Sequence, residues 1–260
     1  MCGIAGFWGG HFNKEQAEDV LRRMGSAIEH RGPDDAGVWF DVNVGIGLSH
    51  RRLSIVDLSA AGHQPMHSSS SRYVMVFNGE VYNHLELRTM LEKAQGQELP
   101  WRGHSDTETL LAGFEHWGFE QTLRRTVGMF AIALWDRESR TLSLARDRMG
   151  EKPLYYAIAG GILYFGSELK ALKAHPSFKP TIDRNALSLF LRHSYVPAPF
   201  SIYQDVRKLE PGSWIEIDRT VLGGNKQLQA QRYWSLHDAI LRGRQSPFIG
   251  TDDEAVTELG

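Results

Sequence analysis

Strand-sized apolar segments in this chain come in pairs separated by only a few turn residues. Val127 to Trp135 and Thr141 to Ala145 are joined by the polar stretch Asp136 to Arg140. Leu154 to Ile158 and Ile162 to Phe165 flank Ala159-Gly160-Gly161. A parallel pair needs a crossover of roughly a dozen residues, whereas antiparallel strands close over a short turn. Between these pairs lie helical stripes. Ala17, Val20, Leu21, Met24 and Ile28 recur at helical spacing behind Asn13, a residue suited to cap a helix start. Leu85, Leu87 and Leu91 suggest a helix to about Lys93, and Ser105-Asp106-Thr107-Glu108 has capping-box spacing before a helix through Trp117. Hairpins with amphipathic helices between them predict an α+β layered fold of antiparallel sheets, not a parallel βαβ sheet.

Further strands are expected over Ile4 to Trp8, near 37–41 and 44–49, and over Arg72 to Phe77; residues 50–67 read as an extended loop. Short helices are expected at about 168–174 and 183–193, and PGSWIEI reads as one more strand. From about residue 219 the chain is polar and weakly patterned, which places a boundary near 210–220.

Several function classes find no support. With 29 basic and 31 acidic residues, nothing favours nucleic acid or an anionic membrane surface as a partner. The longest apolar runs are too short to span a bilayer, and no signal-peptide pattern opens the chain, so a cytoplasmic location is expected. No metal site is expected: CxxC and HExxH are absent, and Pro65 between His63 and His67 argues against one helical face. Neither a Walker A sequence nor GxGxxG occurs.

The single cysteine is Cys2. Removal of Met1 would leave it with a free α-amine. Such an amine titrates at about 7.7–8.0 and a thiol at about 8.5, so the amine is partly basic at neutral pH. Base and nucleophile would then share one residue, with a water relaying the proton, as in N-terminal nucleophile catalysis. From position alone the better reading of Cys2 is a small buried hydrophobe at a strand start.

Eight blocks occur in order: MCGIAGF, HRGPDDAG, LSHRRLSIVDLSAAGHQPM, VFNGEVYNH, GHSDTETLL, GMFAIALWD, ARDRMGEKPLYY and FGSELKAL. Together they resemble the glutaminase domain of glutamine-dependent asparagine synthetases, a class II glutamine amidotransferase. The resemblance implies an N-terminal nucleophile hydrolase fold, a four-layer αββα sandwich of antiparallel sheets, over residues 2–215. Residues 216–260 would be a linker and the start of a truncated synthetase domain. It implies Cys2 as the nucleophile that attacks the carboxamide of L-glutamine, giving a thioester and ammonia. Asn78, through its side-chain amide, and Gly79, through its backbone N–H, would form the oxyanion hole; outside that context Asn-Gly is a common turn. Arg52 would pair with the substrate α-carboxylate, chosen over Arg51 because it directly precedes LSIVD. Asp106 would hold the α-ammonium, with Glu80 and the backbone of Ile55 and Val56 as further substrate contacts. HRGPDD is expected to shape the pocket mouth, Arg31 among it, and ARDRMGEKPLYY either a face toward a synthetase domain or a charged turn.

No SGGxDS pyrophosphate loop occurs. The resemblance therefore implies no cofactor for this domain, with ATP and magnesium expected only in a synthetase domain supplied in cis or by a partner chain. Aspartate is the implied acceptor; sugar or metabolite carboxylates remain alternatives, and a homodimer stays open. A catalytically silent glutamine-binding domain with Met1 retained, and a non-enzymatic scaffold, are the competing readings.

Overall fold

A computed structural model describes residues 1–55, 57–224 and 227–259. The chain opens with β1 (Gly3–Trp8) and α1 (Lys14–Ser26), then β2 (Asp35–Asp41) and β3 (Ile46–Arg52). After a loop come β4 (Met66–His67) and β5 (Tyr73–Val81), then α2 (His84–Gln95), α3 (Asp106–Trp117) and α4 (Phe119–Arg125). Two hairpins follow, β6 (Gly128–Asp136) with β7 (Thr141–Arg146), and β8 (Tyr155–Ala159) with β9 (Ile162–Gly166). The remainder is α5 (Leu169–Lys173), α6 (Arg184–His193), β10 (Val206–Lys208), β11 (Ser213–Ile217), α7 (Arg219–Leu222), β12 (Gln231–Arg232), α8 (Leu236–Gln245) and α9 (Asp252–Leu259).

These strands form two six-stranded antiparallel sheets. One runs β10-β8-β9-β1-β3-β2, the other β12-β11-β7-β6-β5-β4. Strand periodicity divides the side chains among three cores. Ile4 and Trp8 of β1, Ile46 and Leu48 of β3, Val74 and Val76 of β5, and Ala131, Ala133 and Trp135 of β6 meet between the sheets. Ala5 and Phe7 face the other way, against Ala17, Val20, Leu21 and Met24 of α1. Met75, Phe77, Phe130 and Ile132 pack beneath Leu87 of α2 and Leu110, Leu111 and Phe114 of α3. The result is the expected αββα sandwich. Trp8 and Trp135 bridge the sheets edge to face at 5.0 Å, a geometry worth about 0.5–1.5 kcal/mol beyond the buried area.

Local signals explain the helix starts. Asn13 accepts from the Gln16 N–H at 2.9 Å while the Gln16 side chain accepts from the Asn13 N–H at 3.1 Å, a closed capping box. At α3 the expected box forms only by half. Ser105 caps the Thr107 N–H at 3.1 Å, but the Glu108 carboxylate accepts from Arg102 and Gly103. Asn78-Gly79, a common turn dipeptide, lies inside β5. The loop expected at 50–67 begins only after Arg52 and contains β4.

Packing continues past residue 215, where the first domain was expected to end. That position falls inside β11, which pairs with β7. Val221 and Leu222 enter the core between the sheets. Tyr233 is buried, and its hydroxyl donates to the Arg146 carbonyl at 2.9 Å. Residues 216–224 and 227–234 therefore pack as part of the sandwich, whereas α8 and α9 bury no residue. Among the described residues no helix is long and apolar enough to cross a membrane.

Candidate active site

The stripes between the sheets turn polar at one end. Along β3 the inward positions run Ile46, Leu48, His50, Arg52; along β5 they run Val74, Val76, Asn78, Glu80. Back along β1 the same period runs Trp8, Ile4 and then Cys2, just before the strand. Apolar residues glue the sheets along most of their length, and polar ones line the cavity where the sheets part. Cys2, Arg52, Ile55, Asn78, Gly79, Glu80 and Asp106 all line this cavity. The period also separates the neighbouring arginines. Arg51 points outward, with Nη2 on Ser26 Oγ at 3.0 Å and Nη1 3.8 Å from Glu29.

Cys2 Sγ lies against the Leu53 backbone, accepting its N–H at 3.4 Å and donating to its carbonyl at 3.6 Å. Burial pushes the thiol up, and the Leu53 hydrogen bond only partly offsets it. The group is a protonated thiol at neutral pH and requires a base to become a nucleophile. The HRGPDD loop supports it from behind. Arg31 Nε donates to the Cys2 carbonyl at 3.0 Å, and Arg31 Nη1 pairs with Glu168 at 3.0 Å. Met1 also lines the cavity, its Sδ accepting from Lys152 Nζ at 3.3 Å.

The outer edge of β5 supplies backbone donors. β4 covers this edge only at Val74 and Met75. Beyond it, the Phe77 N–H donates to Gln64 Oε1 at 2.7 Å, and the Val81 N–H donates to Asp106 Oδ2 at 2.9 Å. Strand period makes Gly79, midway between them, point its N–H out along the same edge, toward the cavity. Only glycine fits here, because an added Cβ would overlap the Met129 carbonyl oxygen. The neighbouring Asn78 is 1% exposed, and among the described residues neither its Nδ2 nor its Oδ1 has a hydrogen-bond partner. A buried amide without partners is costly, so this one is available to a ligand.

Opposite charges face the cavity from two sides. Burial, reinforced weakly by Glu80, raises the Asp106 carboxyl to about 6, against the bond from Val81. The Arg52 guanidinium packs against Gly62 and donates from Nη1 to the Ser59 carbonyl at 2.9 Å and from Nη2 to the Asp57 carbonyl. Two of its five N–H groups are thus used on the loop and three remain. Ile55 sits at the rim, 56% exposed. Val56 lies outside the described residues.

Sequence reasoning gave no site role to Leu53, Gln64 and Thr107, and set Lys152 in the ARDRMGEKPLYY turn, yet all four line the cavity. All stand inside the quoted motifs, and their contacts run to neighbouring protein groups that no spacing rule marks. The ARDRMGEKPLYY turn is organised from within. The wholly buried Asp147 accepts from the N–H groups of Phe130, Met149, Glu151 and Lys152, and Arg146 donates to the carbonyls of Gly150, Lys152 and Leu209.

Residues 1–234 match a protein-family model described as a glutamine amidotransferase domain. Asparagine synthetase [glutamine-hydrolyzing] 1 of Bacillus subtilis is 39% identical over 219 residues, covering 84% of this chain and 33% of the relative. A putative asparagine synthetase [glutamine-hydrolyzing] of Methanocaldococcus jannaschii is 34% identical, covering 92% of this chain and 47% of the relative. The chain thus spans between a third and a half of the length of these curated relatives. Among solved structures, a glutamine phosphoribosylpyrophosphate amidotransferase from B. subtilis superposes with a TM-score of 0.63 at 19% identity, over 90% of this chain and 49% of that one. This likeness shows that the fold is shared.

Proposed function

The chain belongs to the glutamine amidotransferase domain family, and from that premise we propose that it hydrolyses L-glutamine to glutamate and ammonia at Cys2. The observation that carries the reading is the buried, unpartnered Asn78 amide in the cavity that Cys2 lines. In this mechanism Met1 is removed and the freed α-amine takes the thiol proton through a water. Sγ bonds to the side-chain carbonyl carbon of glutamine, and the carbonyl electron pair moves onto oxygen. Asn78 Nδ2 and the Gly79 N–H stabilise that oxyanion. The C–N bond then breaks, the leaving nitrogen takes the proton as ammonia, and water hydrolyses the thioester to glutamate and free thiol. Arg52 uses its remaining N–H groups for the α-carboxylate, and Asp106 holds the α-ammonium. Glu80, Ile55 and Val56 complete the substrate contacts.

This chemistry draws on the thiol, its amine, the two oxyanion donors and water. ATP and magnesium belong, in this reading, to a synthetase portion in cis or on a partner chain, which activates a carboxylate for the ammonia. Aspartate is the proposed acceptor, supported by the names of the curated relatives. The second reading is a silent glutamine-binding domain: while Met1 is attached, the Cys2 nitrogen is a peptide amide and not a base.

Ammonia release from L-glutamine, by samples whose N-terminus is verified by mass, separates the two. Cys-started protein should release ammonia and Met-started protein none. Cys2→Ala should abolish release and keep the fold. Release that persists in Cys2→Ala would remove the thiol from the mechanism; glutamine binding without release by Cys-started protein would leave the silent-domain reading standing.

A further inference from the structure

β5 carries both proposed oxyanion donors on a stretch of edge that, among the described residues, no strand covers. β4 ends at His67, opposite Val74, and Met66 lies opposite Met75, so the backbone from Phe77 onward has no ladder partner on that side. A buried strand edge without partners leaves N–H and C=O groups unsatisfied and free to tilt. Two side chains fill the gap at Phe77. Gln64 Oε1 accepts the Phe77 N–H at 2.7 Å, and His50 Nε2 donates to the Phe77 carbonyl at 3.0 Å. Both side chains are buried, His50 at 1% and Gln64 at 5% exposure. Gln64 reaches further: its Nε2 donates to Thr107 Oγ1 at 3.3 Å, on α3 beside Asp106.

We infer that His50 and Gln64 act as a clamp on the Phe77 peptide that sets the direction of the Asn78 amide and the Gly79 N–H. The inference rests on the glutaminase reading above, and it makes Gln64 and His50 positioning residues, since neither supplies a reacting group. Phe77 immediately precedes Asn78, so the plane held by the clamp fixes where the Asn78 Cα–Cβ bond leaves the strand. Displacement of a preorganised donor by about 1 Å can cost on the order of a hundredfold in rate. The Gln64–Thr107 bond links this strand to the helix bearing Asp106, which holds the two ends of the bound amino acid in register.

The test uses Gln64→Met, which keeps the shape and removes both bonds, and Gln64→Glu, which restores an acceptor for the Phe77 N–H. In Cys-started protein, Gln64→Met should lower kcat about tenfold while KM for glutamine stays within about threefold, the pattern of a contact felt in the transition state. The γ-aldehyde of glutamate forms a tetrahedral adduct when Cys2 Sγ adds to its carbonyl carbon. Its inhibition constant should rise by the same factor as kcat falls, and Gln64→Glu should recover most of both. A merely structural role would instead lower the melting midpoint and the active fraction, read from alkylation of the single cysteine, with kcat per alkylatable site unchanged. That result, or unaltered kcat and aldehyde affinity, would overturn the clamp. Wild-type protein that releases no ammonia would defeat the glutaminase reading instead. Amide exchange at Phe77 still decides the clamp then, because protection in wild type must be lost in Gln64→Met.

Discussion

Asp106 is the residue whose ionisation the cavity controls most directly. Burial lifts its carboxyl to about 6, so near neutrality it is mostly the carboxylate that the proposed ammonium contact requires, and below pH 6 it is mostly neutral. With the Cys2 α-amine protonating below about 7.7–8.0, kcat/KM for glutamine should fall about tenfold per pH unit, and below 6, where Asp106 is protonated too, the fall should steepen to about a hundredfold per unit. Asp106→Asn should lower kcat/KM throughout and remove that steepening while the amine limb stays. Initial rates of ammonia release between pH 5 and 8 check this, and a wild-type profile that keeps one slope through pH 6 would remove Asp106 from substrate binding. The two arginines offer a second comparison. Arg52→Ala should raise KM about tenfold or more with little change in kcat, as expected for loss of a charged contact made equally in ground and transition states. Arg51→Ala should leave both within about twofold, because its guanidinium reaches Ser26 and Glu29 on the far side of the sheet.

β5 concentrates the element-level constraints, and Gly79 is the tightest of them. Any Cβ there would overlap the Met129 carbonyl on the paired strand β6. Gly79→Ala must therefore push β5 from β6, destabilising the fold by about 1–3 kcal/mol and abolishing ammonia release through the displaced oxyanion donor. Paired melting and activity measurements test this; an alanine variant of wild-type stability would contradict the close approach. The strand also shows what the sequence could carry. The strand itself is legible over Arg72 to Phe77, as are the hairpins and the α1 cap, because these depend on nearest-neighbour spacing. Asn78-Gly79 reads locally as a turn, and only the pairing with β6 keeps it extended. Gln64 and His50 were invisible as functional groups because they complete a backbone edge, a task with no spacing signature. The segment beyond residue 215 reads as polar linker, yet Val221, Leu222 and Tyr233 each enter a core from short, irregular pieces that show no period.

Among the described residues, His50, His175 and Asp106 carry the largest shifts that bear on stability in mild acid, and His67 and His84, lowered by burial to a smaller extent, act with the same sign as the two histidines. His50 lies between the sheets and His175 among Phe7, Phe12 and Tyr164; burial lowers both from 6.5 to about 4. Between pH 4 and 6.5 the unfolded chain therefore binds more protons at these sites than the native state. Their contribution, roughly 3 kcal/mol each, is complete above 6.5 and lost as pH falls toward 4. Asp106 has the opposite sign. Its folded value of about 6 lies above the unfolded 3.8, so over that window the native state binds the extra proton, and stability from this group falls as pH rises. Two histidine terms outweigh one aspartate term of similar size, so net stability should rise by roughly 3 kcal/mol from pH 4 to 6.5. Carboxyls held low by partners, such as Asp136 beside Arg72 and Glu168 beside Arg31, add a further loss that sets in as pH falls through their unfolded values of 3.8 and 4.5. His175→Phe, placed in its cage of aromatic rings, should remove about half of the histidine term and leave a nearly level profile between pH 4.5 and 6.5. Asp106→Asn should steepen the same profile, because it deletes the opposing term. Urea unfolding at half-unit pH steps reads both. If His175→Phe unfolds with the wild-type pH dependence, the acid sensitivity does not arise in the aromatic cage, and the balance proposed among the three sites is wrong.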